Sequence, residues 1–213
     1  MRIFAFVDLC GFTAYTEAHG EGAAVTVLAH LRTTLRASAE ARGVRVTKWL
    51  RDGAMLSGVD TAPVVECVIE TRDKVAGESP VPLRAGIARG RVIMFEGDDY
   101  VGAAVNMAAR LAARAAPNQI LTTVGVAELV AGSVPLQPMQ PVHVGGVASA
   151  VGVRELPHRT AGARSVRAPV EPVPSVTVRE PAMALAQRQR ALVEASVLRC
   201  PSRGGRKGKS GKA

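Results

Sequence analysis

Two hydrophobic periods alternate along the first three quarters of the chain. Residues 3–9 (IFAFVDL) form a short, almost wholly apolar run that reads as a buried strand. Gly11, Phe12 and Thr13 make a turn, and helical spacing follows over about 16–41, with Val25, Leu28, Leu31 and Leu35 three or four residues apart on one face. Arg42-Gly43 ends that helix. Residues 44–50 and 54–59 are strand-like and flank Arg51-Asp52-Gly53. An Asp-Gly pair between two such runs signals a hairpin, because both residues tolerate positive φ. A second helix is expected over 62–75, then strands over 82–88 and 92–95 with an Arg-Gly turn between them. A third helix is expected from about Gly102 to Ala115, closed by Pro117-Asn118. A strand at 120–123, a short helix at 126–130 and strands near 142–144 and 151–156 complete the pattern. The order β-α-β-β-α-β with additions predicts an α+β fold, a ferredoxin-like core with extra C-terminal strands, rather than a doubly wound parallel sheet.

The pattern stops after Leu156. Pro157, Pro169, Pro172, Pro174 and Pro181, mixed with Ser, Thr and Val, read as an extended linker. Residues 182–199 could form one short helix, and 203–213 is rich in Gly, Lys and Arg and reads as disordered. The expected division is therefore a domain over 1–156 and a tail over 157–213. Charge sharpens that division. The net charge of the 213 residues is +9, and residues 157–213 hold twelve Lys or Arg against three Glu, so the whole excess lies in the tail. The folded part is neutral and gives no electrostatic reason to expect a polyanion partner. Arg188, Arg190, Arg199, Arg203, Arg206, Lys207, Lys209 and Lys212 could hold acidic lipid, nucleic acid or a protein, or simply be solvated. Without interleaved aromatics, base stacking has little to work with.

Other classes fall away quickly. No apolar run reaches the length of a membrane span, and MRIFAFVDLCGFT lacks a signal-peptide cleavage site. Cys10, Cys67 and Cys200 are an odd number at unrelated spacings, which argues against a disulfide framework or a zinc site and fits a reducing, cytoplasmic setting. Gly208-Lys209-Ser210 resembles the end of a phosphate-binding loop, but the glycine it needs is Arg203. His19, His30, His143 and His158 have no ligand spacing.

Four polar residues stand out. Asp8 closes a buried strand just before the Gly11–Thr13 turn, where a carboxylate is costly unless it is paired, capped or bound to a cation. Backbone N–H groups of that turn would face an anion above the helix start. Asp52, at the hairpin tip, is by itself a turn former. In a ferredoxin-like sheet, however, the first strand and the central hairpin are neighbours. Asp8 and Asp52 can therefore approach, and two carboxylates with phosphate oxygens suit a hard divalent cation. Asn106 and Arg110 share one face of the third helix, about 6 Å apart along its axis. Such a pair is either plain surface or a group that steadies a charged transition state.

Taken together, these segments resemble the class III adenylyl/guanylyl cyclase catalytic domain. The likeness runs through Phe6-Val-Asp8-Leu-Cys-Gly11-Phe12-Thr13, Lys48-Trp-Leu-Arg51-Asp52-Gly53 and Gly86-Ile-Ala-Arg-Gly90. It continues through Asp99-Tyr-Val-Gly102-Ala-Ala-Val105-Asn106-Met-Ala-Ala109-Arg110-Leu111, and covers nearly all of residues 2–156. The resemblance implies that Asp8, Asp52 and the Leu9 carbonyl hold two Mg²⁺ or Mn²⁺ ions and that Gly11, Phe12 and Thr13 border the phosphates. Lys48 and Asp99 would read the purine edge as adenine, favouring ATP over GTP. Asp98 is the adjacent competitor, but Asp99 has the family's seven-residue distance to Asn106. Asn106 would place the ribose and Arg110 would stabilise the transition state. The implied reaction is cyclisation of ATP to 3′,5′-cyclic AMP and pyrophosphate in a head-to-tail homodimer with two composite sites. Two positions depart from the pattern: Arg51 stands where the family has Gly, and Gly145 stands where it places a basic residue on the triphosphate. A second expectation follows from them, a cyclase-homology module that binds nucleotide or dimerises without turnover.

Overall fold

The computed structural model describes residues 1–95, 99–134, 136–143 and 150–158, all within a compact unit spanning Met1–Ala163. The possible helix at 182–199, the linker prolines from Pro169 onward and the basic terminus lie outside the described residues.

The chain opens with β1 (Arg2–Leu9), α1 (Phe12–Glu40), β2 (Arg45–Trp49), β3 (Gly53–Gly58), α2 (Thr61–Glu78) and β4 (Leu83–Gly90). These six elements give the expected ferredoxin-like core, with sheet order β2-β3-β1-β4. β5 (Ile93–Phe95), β6 (Asp99–Val101), α3 (Ala103–Arg114), β7 (Ile120–Thr123), α4 (Val124–Val130), β8 (Gln137–Pro138) and β9 (Val153–Glu155) follow. β7, β9 and β8 extend the sheet to seven strands; β7 lies parallel to β4.

Strand alternation divides β1 between two layers. Ile3, Ala5, Val7 and Leu9 face a core that they share with Val27, Leu31 and Leu35 of α1 and Val64, Val65 and Val68 of α2. Phe4 and Phe6 face the other way, against Ala104 and Ala108 of α3 and Tyr100 of β6. Asp8 continues the second series, so it lies on the α3 side of the sheet.

Several boundaries differ from the sequence reading. The first helix starts at Phe12, and its stretch before the apolar face is set off by a kink at Gly20 (φ 81°, ψ 167°). The buried face runs through Ala24, Val27, Leu31, Thr34, Leu35 and Ser38. Val25 is 63% exposed, since it sits one step off that stripe. β4 runs on to Gly90, and β5 pairs with β6 in a separate ribbon instead of turning back on β4. β6 is only three residues long, too short to give a periodic signal. Near the end, Val142 makes an isolated bridge to Val151, and the strand proper is Val153–Glu155.

α3 lies very close to the sheet because β4 carries Gly86 beneath it. A Cβ at Gly86 would stand 2.1 Å from the Ala112 nitrogen and 2.3 Å from the Ala108 oxygen. At the domain's end, Arg72 of α2 is buried and donates to the carbonyls of Leu156 and Pro157, each at 2.8 Å. It also pairs with Asp73, and it fixes the point where the chain leaves the sheet.

Candidate active site

The register of β1 against its neighbours builds the site. Asp8 stands opposite Gly53 on one side and Arg84 on the other. The Leu9 N–H donates to the Asp52 carbonyl at 3.0 Å, tying the β2–β3 turn to the end of β1. Asp8 and Asp52 are thereby brought to one place: burial raises the pKa of the Asp8 carboxyl, and the nearby Asp52 adds a smaller push in the same direction. The turn itself is closed by the Leu50 N–H donating to the Gly53 carbonyl at 2.9 Å. Gly53 does not adopt positive φ. It is required for a different reason, because a Cβ there would stand 2.1 Å from the Val7 carbonyl oxygen. Arg51 leaves this hairpin intact and extends outward, where its Nη2 donates to Thr13 Oγ1 at 3.1 Å.

Arg84 is the residue that sequence reasoning missed. Its Nε and Nη2 both donate to one Asp8 oxygen, at 2.9 and 2.7 Å, and its Nη1 donates to the Ala113 carbonyl near the end of α3. The available signal was a charged residue inside an otherwise apolar strand, Val81-Pro-Leu-Arg-Ala-Gly-Ile. Burial of Asp8 is the strongest influence on its carboxyl and raises its pKa, against the lowering effect of Arg84. A buried carboxyl whose ionised form is disfavoured, beside a second carboxylate, is a group that a cation would relieve. Two hard oxygen donors suit Mg²⁺ or Mn²⁺ rather than a soft metal. Among the described residues no cluster of three or more His, Cys, Asp or Glu could hold a metal without help.

The turn before α1 has Gly11 in the left-handed region (φ 72°), and no side chain caps the helix. Phe12 is buried beneath this turn while Gly11 and Thr13 are exposed. Its first N–H groups are thus free to meet an anion.

Lys48 and Asp99 form an ion pair across the chain, on half-exposed side chains. Lys48 pairs with Met55 across the β2–β3 ladder, and Met55 packs in the cluster containing Phe4 and Ala108. This pair therefore occupies the same face of the sheet as Asp8. Asp98 lies outside the described residues, as does Gly145.

On α3, Ala104, Ala108, Leu111 and Ala112 are buried, with Met107 partly buried beside them. Asn106 is exposed and Arg110 half-buried. Among the described residues neither makes a side-chain hydrogen bond or ion pair, and the structure does not join them to Asp8 or Asp52 within one chain.

No protein-family model matches the chain. It is 34% identical over 128 residues to a pH-sensitive adenylate cyclase of Mycobacterium tuberculosis, a match covering 58% of this chain and 31% of that protein. An adenylate cyclase of Streptomyces coelicolor is 32% identical over 124 residues, covering 58% and 32%. An uncharacterised Mycobacterium bovis protein is 32% identical over 126 residues, covering 59% of this chain and 33% of its own length. The chain thus spans about a third of the length of these curated relatives. Among solved structures, the catalytic core of a rhodopsin-guanylyl cyclase with converted specificity, in complex with ATPαS, superposes with a TM-score of 0.64 at 19% identity, covering 74% of this chain and 95% of that one. The adenylyl cyclase CyaB from P. aeruginosa gives a TM-score of 0.62 at 19% identity, covering 75% and 95%. At such identity the structures speak for the fold, and the curated relatives add the sequence likeness. The folded unit of this chain thus has the fold of the adenylyl and guanylyl cyclase catalytic domains, and over 58% of its length the chain is similar in sequence to two proteins named as adenylate cyclases.

Proposed function

We propose that the folded unit is an adenylate cyclase, converting ATP to 3′,5′-cyclic AMP and pyrophosphate at composite sites of a homodimer. The observation that carries this reading is the meeting of Asp8 and Asp52 at the end of β1, with the Lys48–Asp99 pair on the same face. Asp8, Asp52 and the Leu9 carbonyl would hold two divalent cations, which, when bound, favour ionisation of the ribose 3′-hydroxyl and neutralise the leaving pyrophosphate.

The chain's own groups account for the rest. The Lys48 ammonium donates to N1 of adenine, and the Asp99 carboxylate accepts from the exocyclic amine, once their mutual ion pair opens to admit the base. Guanine presents a donor at N1 and an acceptor at C6, which mismatches both. Asn106 orients the ribose. Arg110 lies four residues along the same helix and meets the charge that builds on the α-phosphate oxygens. The 3′-oxygen bonds to the α-phosphorus in line with departing pyrophosphate, which takes the electron pair of the broken bond; the hydroxyl proton is lost to solvent.

Asn106 and Arg110 have no partner of their own among the described residues, and this supports a site in which one subunit supplies the aspartates and the other supplies α3. Mixing two inactive proteins, Asp52→Ala and Arg110→Ala, tests that arrangement. Random exchange makes half of the dimers mixed, each with one intact site, so recovery of about a quarter of wild-type turnover is expected. No recovery from folded, exchanging dimers would contradict it. The alternative, a nucleotide-binding or dimerising module without turnover, rests on Arg51 and on Gly145, which lies outside the described residues. The undistorted β2–β3 turn removes part of that support.

A further inference from the structure

The departure at position 51 has a positive role. We infer that Arg51 is a substrate-binding residue that grips the outer phosphates of the nucleotide; the assignment rests on the reading of Asp8, Asp52 and the Gly11–Thr13 turn as the triphosphate site.

Three observations carry it. First, Arg51 occupies a tight turn whose neighbours, Asp52 and Gly53, are fixed to β1 by the Leu9–Asp52 hydrogen bond and the close approach of Gly53 to Val7. The base of the side chain is therefore held in place. Second, its guanidinium crosses to the first turn of α1 and donates to Thr13 Oγ1. That turn is the one whose backbone N–H groups have no side-chain cap. A cation and uncapped N–H groups converge there, which is the chemistry that recognises a phosphate. Third, among the described residues Arg51 makes no ion pair, although Asp52 is its neighbour in the chain. Arg84, in contrast, is committed to Asp8 and to the Ala113 carbonyl. Arg51 spends one donor on a neutral hydroxyl and keeps the rest of its fork for a ligand. The ligand class is a di- or triphosphate, because the α-phosphate must stay near Asp8 and Asp52 while Thr13 lies on the helix beyond them.

The test measures binding, separately from turnover. The full chain and its Arg51→Ala and Arg51→Lys variants are titrated calorimetrically with AMP, ADP and 3′-deoxy-ATP, which cannot cyclise, in the presence of Mg²⁺. Charge-assisted hydrogen bonds of this kind are worth about a tenfold or larger change in affinity. Arg51→Ala is expected to weaken 3′-deoxy-ATP by about tenfold or more. AMP should change by less than about twofold, and Arg51→Lys should recover part of the loss, since it keeps the charge without the fork. Equal weakening of AMP and 3′-deoxy-ATP would overturn the assignment, as would unchanged or tighter binding of the triphosphate in Arg51→Ala. The two readings fail separately. Selective loss in a protein that never makes cyclic nucleotide would keep Arg51 as a phosphate residue and reject the cyclase. Robust cyclisation with no phosphate-selective effect would do the reverse, and absence of any nucleotide binding would reject both.

Discussion

Replacing Gly86 by alanine adds one methyl group in the interior and ought to disable the domain. A Cβ there would lie 2.1, 2.3 and 2.7 Å from the Ala112 nitrogen, the Ala108 oxygen and the Leu111 carbonyl carbon. All three are main-chain atoms of α3, so no side chain can turn aside. Ordinary contact is about 3.5 Å, so the helix must move off β4 by roughly 1 Å or more. Overpacking of well-filled cores costs about 1–3 kcal/mol, and the backbone character of these contacts points to the upper end. For a domain of this size about 3 kcal/mol corresponds to a fall in Tm of roughly 10 °C. Because α3 carries Asn106 and Arg110, a shift of about 1 Å should also lower turnover by around a hundredfold. Calorimetry and a cyclic-nucleotide assay on the same sample read both quantities. Gly77→Ala supplies the control. Gly77 is helical and nothing lies within 4 Å of the position its new methyl group would take, so this change should stabilise by about 0.5 kcal/mol. A Gly86→Ala protein with Tm within about 2 °C of wild type would refute the close seating of α3 on β4.

Other outcomes follow from single contacts. Arg72→Met removes the buried donor to the Leu156 and Pro157 carbonyls and should cost about 3 kcal/mol in urea unfolding, with the α3 side of the sheet unchanged. Burial pushes the Cys67 thiol up to about 11; at pH 8 its thiolate fraction is roughly a hundredfold below that of a free cysteine, so mass spectrometry should find it unalkylated until the protein unfolds. Its raised pKa also means that its stabilising contribution is intact below the ordinary thiol range and is lost as pH rises through 11. The raised pKa of Asp8 makes its ionisation a cost to the fold. Without metal, Asp8→Asn should therefore be the more stable protein at neutral pH, with the difference closing as pH falls through the aspartate range; urea titrations at several pH values measure it.

The core was legible wherever period and length were sufficient. β1, the β2–β3 hairpin, α2 and α3 fall where alternation and helical spacing put them. What escaped was set by tertiary contact. Val25 fits a helical stripe on paper, but the kink at Gly20 and the packing of α2 select Ala24 and Val27 instead. β6 exists only through pairing with β5, and three residues carry no period of their own. At the site, the approach of Asp8 to Asp52 could be anticipated from strand order, and the hairpin was placed correctly. The reason for its glycine was not: Gly53 is needed for clearance from Val7, not for positive φ. Arg84 was missed because its significance is a register fact, the pairing of Asp8 with Arg84 across two antiparallel strands, which no local pattern encodes.

The central claim is that Asp8 and Asp52 form the cation site of an adenylate cyclase. Its most direct test is product formation by the purified protein from ATP and GTP separately, in Mg²⁺ and in Mn²⁺, with Asp52→Ala as the blank. The account predicts cyclic AMP from the unmutated protein alone and little cyclic GMP. A folded dimer that yields no cyclic nucleotide from either substrate in either metal would contradict it.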